Sequence, residues 1–193
     1  CFLDILKTFN QTMKKIILQS LMSEDATQLF ELVHRDRKHL VTYFPISTSA
    51  MKSLATTEQY IQSLNRKTET KIGYTFGIKT QESGDLIGLL FIKNIDWSVP
   101  KAEIAYFIDA QVSGKGIMTN AVHLLLKYSF EQLKMERIYA RIAPENIGSQ
   151  RVAINNGLRL EGTMRNDFRT KSGELLDVHC FGILKKEFEE RKK

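Results

Sequence analysis

The sequence predicts an α/β fold: a mixed, mostly antiparallel sheet of six to seven strands with helices on both faces. Three observations carry this. Residues 102–109 (AEIAYFID) place Ile104, Tyr106 and Ile108 on one side and Ala105 and Phe107 on the other, the pattern of a central strand covered on both faces. A glycine-containing turn, 111–119 (QVSGKGIMT), then opens a long amphipathic helix reaching about 133. Its Ile117, Ala121, Leu124, Leu125 and Tyr128 recur at steps of three and four, with Lys127 and Glu131 off the stripe. Residues 137–143 (RIYARIA) follow as a strand with Ile138, Ala140 and Ile142 on one face. A helical crossover joins it to the first strand, so the two must run parallel.

The remaining elements follow in order. Residues 1–12 form an N-terminal extension of unassigned role, and one domain is expected over 13–193. Residues 16–21 read as a short strand. Ser23 then reads as an N-cap, with Glu24 and Asp25 in the first turn of a helix whose Ala26, Leu29, Phe30 and Val33 make an apolar stripe. The stretch 35–53 mixes charge, aromatics and Pro45 and predicts a broken helical hairpin. A helix over 56–67 turns Tyr60, Ile61 and Leu64 inward. Residues 72–79 and 86–95 alternate as an antiparallel hairpin around Glu82, Ser83, Gly84 and Asp85, and a connector with Trp97 and Pro100 leads to the central strand. After the parallel strand, a loop at 144–149 precedes a short helix that ends at Gly157, the residue expected just past a helix C-terminus. Two strands, 158–169 and 175–184, close the sheet around Lys171, Ser172 and Gly173. No internal repeat occurs.

Composition narrows the function classes. At 193 residues, 42% hydrophobic and 26% charged, the chain suits one globular domain with a full core. Its two cysteines, Cys1 and Cys180, make no disulfide framework and have no Cys or His partner at metal-site spacing, so no metal is expected and a reducing cytoplasm is the expected setting. No apolar run approaches the ~20 residues of a membrane span, and Asp4 and Lys7 interrupt the first residues where a signal peptide would be apolar. A net charge of +6 invites a nucleic-acid reading, but the basic residues are scattered and partly self-neutralised, as in KKEFEERKK. No direct nucleic-acid or membrane partner is expected; the basic surface suits coenzyme phosphates.

The turn at 111–119 carries the chemistry. Gly114 and Gly116 let backbone approach a ligand without a Cβ in the way. Helix-start N–H groups have no intrahelical acceptor, so one anion such as a pyrophosphate can accept from several. A Rossmann fingerprint fails because its third glycine position is Thr119, and a P-loop fails for want of G-K-[ST]. The run Gln111-Val112-Ser113-Gly114-Lys115-Gly116 instead resembles the Q/R-x-x-G-x-G/A signature of the GNAT acyltransferases. The longer stretch AEIAYFIDAQVSGKGIMTNAV resembles their RimJ/RimL-like branch, which acetylates ribosomal-protein N-termini, and the resemblance spans about 14–186.

That resemblance implies acetyl-CoA as co-substrate, with its pyrophosphate on Gln111, Val112, Ser113, Gly114, Lys115, Gly116, Ile117, Met118 and Thr119. It implies that the strands 102–109 and 137–143 start side by side and splay apart, leaving backbone groups for the pantetheine arm. The thioester would lie near Tyr106 and Phe107, with a backbone N–H there polarising its carbonyl, and Phe107 and Ile108 would belong to the coenzyme-binding residues. Asn146 matches the first residue of the family's second motif, N-x-x-S, and would bond the pantetheine arm, cap the following helix, or both.

The implied reaction is direct attack of an amine on the thioester. Many family members carry a tyrosine acid seven residues after that asparagine, and Ala153 stands there in this chain. Ser149, the motif's serine, is the candidate to protonate the departing thiolate. Asp167 is the candidate base, with Asp109 and Glu103 as rivals. At pH 7 a neutral amine costs about 1 kcal/mol for an α-amine of pKa ~7.8 and about 4.6 kcal/mol for a lysine of pKa ~10.4. Sparse acid–base equipment therefore favours a protein N-terminus as acceptor. Small amines such as polyamines or antibiotics, and a non-catalytic acyl-CoA-binding role, are the alternatives. A basic, aromatic 35–53 counts against a polyamine. Oligomeric state is open, a homodimer included.

Overall fold

The computed structural model describes residues 12–13 and 16–191. Cys1 and all of the expected 1–12 extension except Thr12 lie outside the described residues. The sheet runs β1 (Thr12–Met13), β2 (Ile16–Gln19), β3 (Tyr74–Thr80), β4 (Leu86–Asp96), β5 (Lys101–Ile108), β6 (Arg137–Ile142), β8 (Leu175–Leu184), β7 (Arg159–Arg169) in spatial order. Every neighbouring pair is antiparallel except β5 and β6. The expected mixed, mostly antiparallel architecture is present, with the two-residue β1 added at the edge.

Helices cover both faces, as the two-sided burial of β5 requires. On one face, α5 (Ile117–Glu131), α6 (Ile147–Asn155) and α7 (Lys185–Glu190) pack on the sheet. Leu124, Leu125 and Tyr128 meet Phe76, Ile104 and Ile138 in one continuous core there. On the other, α1 (Ala26–Arg35), α2 (Arg37–Tyr43), α3 (Pro45–Ala50) and α4 (Leu54–Glu69) enclose Leu29, Leu40, Ile61, Leu89 and Phe107. The expected broken hairpin is the pair α2 and α3, interrupted at Phe44 before Pro45.

Three local readings change. Ser23 makes no side-chain cap; residues Ser23–Asp25 form a 3-10 turn. Asp25 closes it, accepting from Met22 N–H at 2.8 Å while pairing with Lys79, because a buried carboxylate needs both partners. α4 starts earlier than the apolar stripe because Ser53 Oγ accepts from Thr56 N–H at 3.3 Å. The charged run after Leu184 winds into α7, which buries Phe188 against Phe130.

The sheet opens between β5 and β6. β5 and β6 pair only at Lys101 with Arg137, Ala102 with Ile138 and Glu103 with Tyr139. β5 continues to Ile108 bonded to β4, and β6 continues to Ile142 bonded to β8, so the two strands diverge into a V. At Gly88 a Cβ would meet Phe107 O at 2.5 Å, so β4 can lie this close to the diverging part of β5 only with glycine there.

Candidate active site

The turn after β5 is built from its first residue. Asp109, buried, caps a 3-10 turn (Ala110–Val112) by accepting from Gln111 N–H at 2.9 Å. Arg35, at the end of α1, donates through one nitrogen to Asp109 at 2.8 Å and to the Gln111 side chain at 3.1 Å. Gly114 and Gly116 take φ of 77° and 76°, a left-handed conformation that strains any side-chain-bearing residue. Nothing lies within 4 Å of where a Cβ would stand on either glycine. Backbone bonding in the turn ends with Ser113 N–H to Ala110 O and resumes with Asn120 N–H to Gly116 O, so the N–H groups between face an open cradle at the N-terminus of α5.

That cradle is one end of a cavity of about 440 Å³. Its walls include Phe107 and Ile108 of β5, the turn residues Val112, Ser113, Gly114 and Gly116, the helix residues Ile117, Met118 and Thr119, and Asn146 and Ser149 at the start of α6. Among the expected coenzyme residues, Gln111 and Lys115 are not on this wall; the Gln111 side chain is turned to Arg35, and Lys115 is exposed. Asp36, His39, Leu40, Tyr43 and Phe44 complete it from the far side, residues with no local sequence signal beyond the aromatic character of 35–53.

A second cavity of about 120 Å³ shares Tyr43, Phe44, Tyr106, Asn146 and Ser149 with the first. Asn146 uses its side-chain oxygen to accept from Ser149 N–H at 3.0 Å, so its capping role is present. The Tyr106 hydroxyl donates to Ser149 O at 2.9 Å, and burial pushes its phenol above the ordinary value. Ser149 lines both cavities, and its Oγ has no partner among the described residues. Ala153, at the position of the family's tyrosine, is buried and offers no hydroxyl.

The floor of the second cavity holds a charge cluster. Glu103, 2% exposed, accepts from Asn94 at 2.7 Å, from Lys93 at 3.1 Å and from Arg141 at 3.3 Å. Arg141 also donates to Asp167 at 2.6 Å, bridging the two carboxylates. Burial works against the Arg141 charge, but Glu103 and Asp167 outweigh it and hold its guanidinium above the ordinary value. Asp167 is not on the cavity wall; its neighbour Phe168 and its partner Arg141 are. Asp109, the other rival base, ends its strand and belongs to the turn. Arg35, Lys93 and Arg141 were not legible as site residues, since a lone cation in a strand or helix end carries no motif. No group of three or more His, Cys, Asp or Glu side chains among the described residues could hold a metal. No helix among them is long and apolar enough to cross a membrane.

Comparison with known proteins gives this geometry its family. Residues 15–159 match the family model described as an acetyltransferase (GNAT) domain. The Bacillus subtilis (strain 168) protein named "Probable N-acetyltransferase YjcK" is 32% identical over 157 residues, 81% of this chain and 87% of that protein. A crystal structure described as a probable acetyltransferase superimposes with a TM-score of 0.83 at 29% identity, covering 92% of this chain and 97% of that one. RimL, a ribosomal L7/L12 α-N-protein acetyltransferase solved with coenzyme A, shares the fold with a TM-score of 0.82 at 20% identity, over 91% and 97% of the two chains. Shorter stretches match two Escherichia coli (strain K12) enzymes with different acceptors in their names. Ribosomal-protein-serine acetyltransferase is 28% identical over 93 residues, 48% of this chain and 52% of that protein. Spermidine N(1)-acetyltransferase is 27% identical over 85 residues, 44% and 46%.

Proposed function

The chain belongs to the GNAT acetyltransferase family, and from that premise we propose that it transfers the acetyl group of acetyl-CoA to the N-terminal α-amine of a protein, a ribosomal protein being the leading class. The acetyl group arrives as a thioester. Open glycine positions and unshared helix-start N–H groups suit its pyrophosphate, and the diverging β5 and β6 leave backbone groups for an amide-rich arm. In this reading 13–193 is the acetyltransferase domain and 1–12 an extension. A cytoplasmic setting, where the free Cys180 thiol stays reduced, belongs to it.

The acceptor nitrogen enters from the second cavity and attacks the thioester carbonyl carbon. The C–S bond breaks, the thiolate takes a proton, and the amine loses one. Ser149 supplies the donor, because it lines both cavities and its hydroxyl has no partner among the described residues. Ser149→Ala should lower kcat by about tenfold while changing coenzyme Kd little, the signature of a contact developed in the transition state. A kcat within twofold of the parent would leave Ser149 as a helix-turn residue only.

The observation that carries the acceptor reading is the pairing of both carboxylates near the second cavity. Glu103 and Asp167 are each engaged by cations, so Asp167, the proposed base, must accept a proton in competition with its bond to Arg141. An amine that is readily neutral at pH 7 needs the least of such help, which favours an α-amine over a lysine. Matched charges also deny a polycation the surplus of carboxylates it would seek, although one relative acts on spermidine by name. The test is a panel of N-terminal peptides, their N-blocked forms, lysine peptides and spermidine, assayed by thiol release. Blocking the N-terminus should abolish turnover, and kcat/KM for the unblocked peptide should rise with pH around ~7.8. A kcat/KM for spermidine a hundredfold above every N-terminal peptide would overturn the α-amine reading.

A further inference from the structure

The turn that cradles the coenzyme begins with a negative charge. Asp109 is 7% exposed, and one of its oxygens is committed to capping Gln111 N–H, so the carboxylate is needed to shape the turn. Its charge nevertheless stands directly before the run of N–H groups that face the cradle, where it would repel an incoming phosphate. Arg35 answers this from a different part of the chain. Its Nη1 donates to the second Asp109 oxygen at 2.8 Å and to Gln111 Oε1 at 3.1 Å, across 74 and 76 positions of sequence.

We propose that Arg35 is a positioning residue for coenzyme binding. It neutralises the turn-shaping Asp109 and fixes Gln111, so that the cradle keeps its geometry without presenting a net negative charge to the pyrophosphate. The inference rests on the reading of 111–119 as the pyrophosphate cradle. One feature separates it from direct phosphate binding: Arg35 is not on the wall of the coenzyme cavity, and its Nη1 is turned to protein acceptors instead. Gly114 and Gly116, in contrast, are on that wall.

Titration calorimetry with coenzyme A tests this on the full chain, comparing the parent with Arg35→Ala, Arg35→Lys, Asp109→Asn, the Arg35→Ala/Asp109→Asn double variant and Gly116→Val. Arg35→Ala should raise Kd about tenfold and raise the KM for acetyl-CoA in step, with kcat at saturation within about twofold. Arg35→Lys should recover part of the loss, since lysine restores the charge but not the shared donor geometry. The double variant should bind within about threefold of the parent, because the carboxamide keeps the cap and the unpaired charge is gone. Affinity unchanged in Arg35→Ala would overturn the proposal. So would a double variant as weak as Arg35→Ala, which would place Arg35 on the phosphate itself. Gly116→Val separates the two levels. If it loses affinity while Arg35→Ala does not, only the role of Arg35 falls; if it too binds like the parent, the cradle reading falls with it.

Discussion

Valine at Gly116 is expected to raise the coenzyme Kd by at least tenfold, and valine at Gly114 to do the same. Both glycines hold a φ near +77° with open space where a Cβ would stand. An added side chain therefore meets no protein; it occupies the cradle and strains the backbone that shapes it. A lost charge-assisted hydrogen bond alone is worth ~1.5–3 kcal/mol, which sets the tenfold floor. Calorimetry on variants shown by circular dichroism to be folded decides the matter, and an unchanged affinity would remove 111–119 from the coenzyme site.

The second large effect lies in the other cavity. Glu103→Gln keeps the shape of a buried side chain and removes its charge. The cluster of Lys93, Arg141, Glu103 and Asp167 then passes from balanced to net positive. An acceptor amine is mostly protonated when it arrives at pH 7. One extra charge at ~6 Å costs that cation roughly 2 kcal/mol after screening, about thirtyfold in kcat/KM for the acceptor. Coenzyme Kd should stay within about twofold, since Glu103 is not on the wall of the first cavity. Steady-state kinetics with both substrates varied separates the two, and an unaltered acceptor kcat/KM would mean that the amine does not enter past Glu103.

What the sequence made legible was the run of elements proposed to hold the coenzyme. β5, the glycine turn, α5, β6 and the Asn146 loop are consecutive in sequence, and each carries its own local signal: two-sided apolar alternation, paired glycines, a three-and-four stripe, a cap. Such signals survive without knowledge of the tertiary fold. The acceptor side was harder because its groups meet only through the sheet. Glu103, read from the sequence as a rival base, reaches Lys93 on β4. It also reaches Arg141 on β6, a contact that depends on the three-residue register between β5 and β6. In RIYARIA the alternation of Arg137, Tyr139 and Arg141 with apolar residues did mark a strand with one polar face, but not which carboxylate Arg141 would meet. Arg35 gave no signal at all; its partners lie 74 and 76 positions away. Ser23 misled for a local reason: the turn starts one residue earlier, at Met22, whose N–H is taken by Asp25.

The brief pairing of β5 with β6 has a mechanical side. Among the described residues only three residue pairs form the ladder between the strands β1–β5 and the strands β6–β8, and beyond Glu103 and Tyr139 the join is made by side chains: the Glu103–Arg141 pair, the Tyr106 hydroxyl on Ser149 O, and the apolar core shared with α5. A seam that short yields more readily to local opening than the long ladders on either side of it, so the amides of β5 and β6 facing the gap belong with the fast-exchanging part of the sheet. A ligand laid into that gap and bonded to both lips acts as an extra strand. Saturation at ~1,000 Kd contributes about 4 kcal/mol to the folded state. On the proposed placement of the coenzyme in this gap, binding would clasp the two parts of the sheet together.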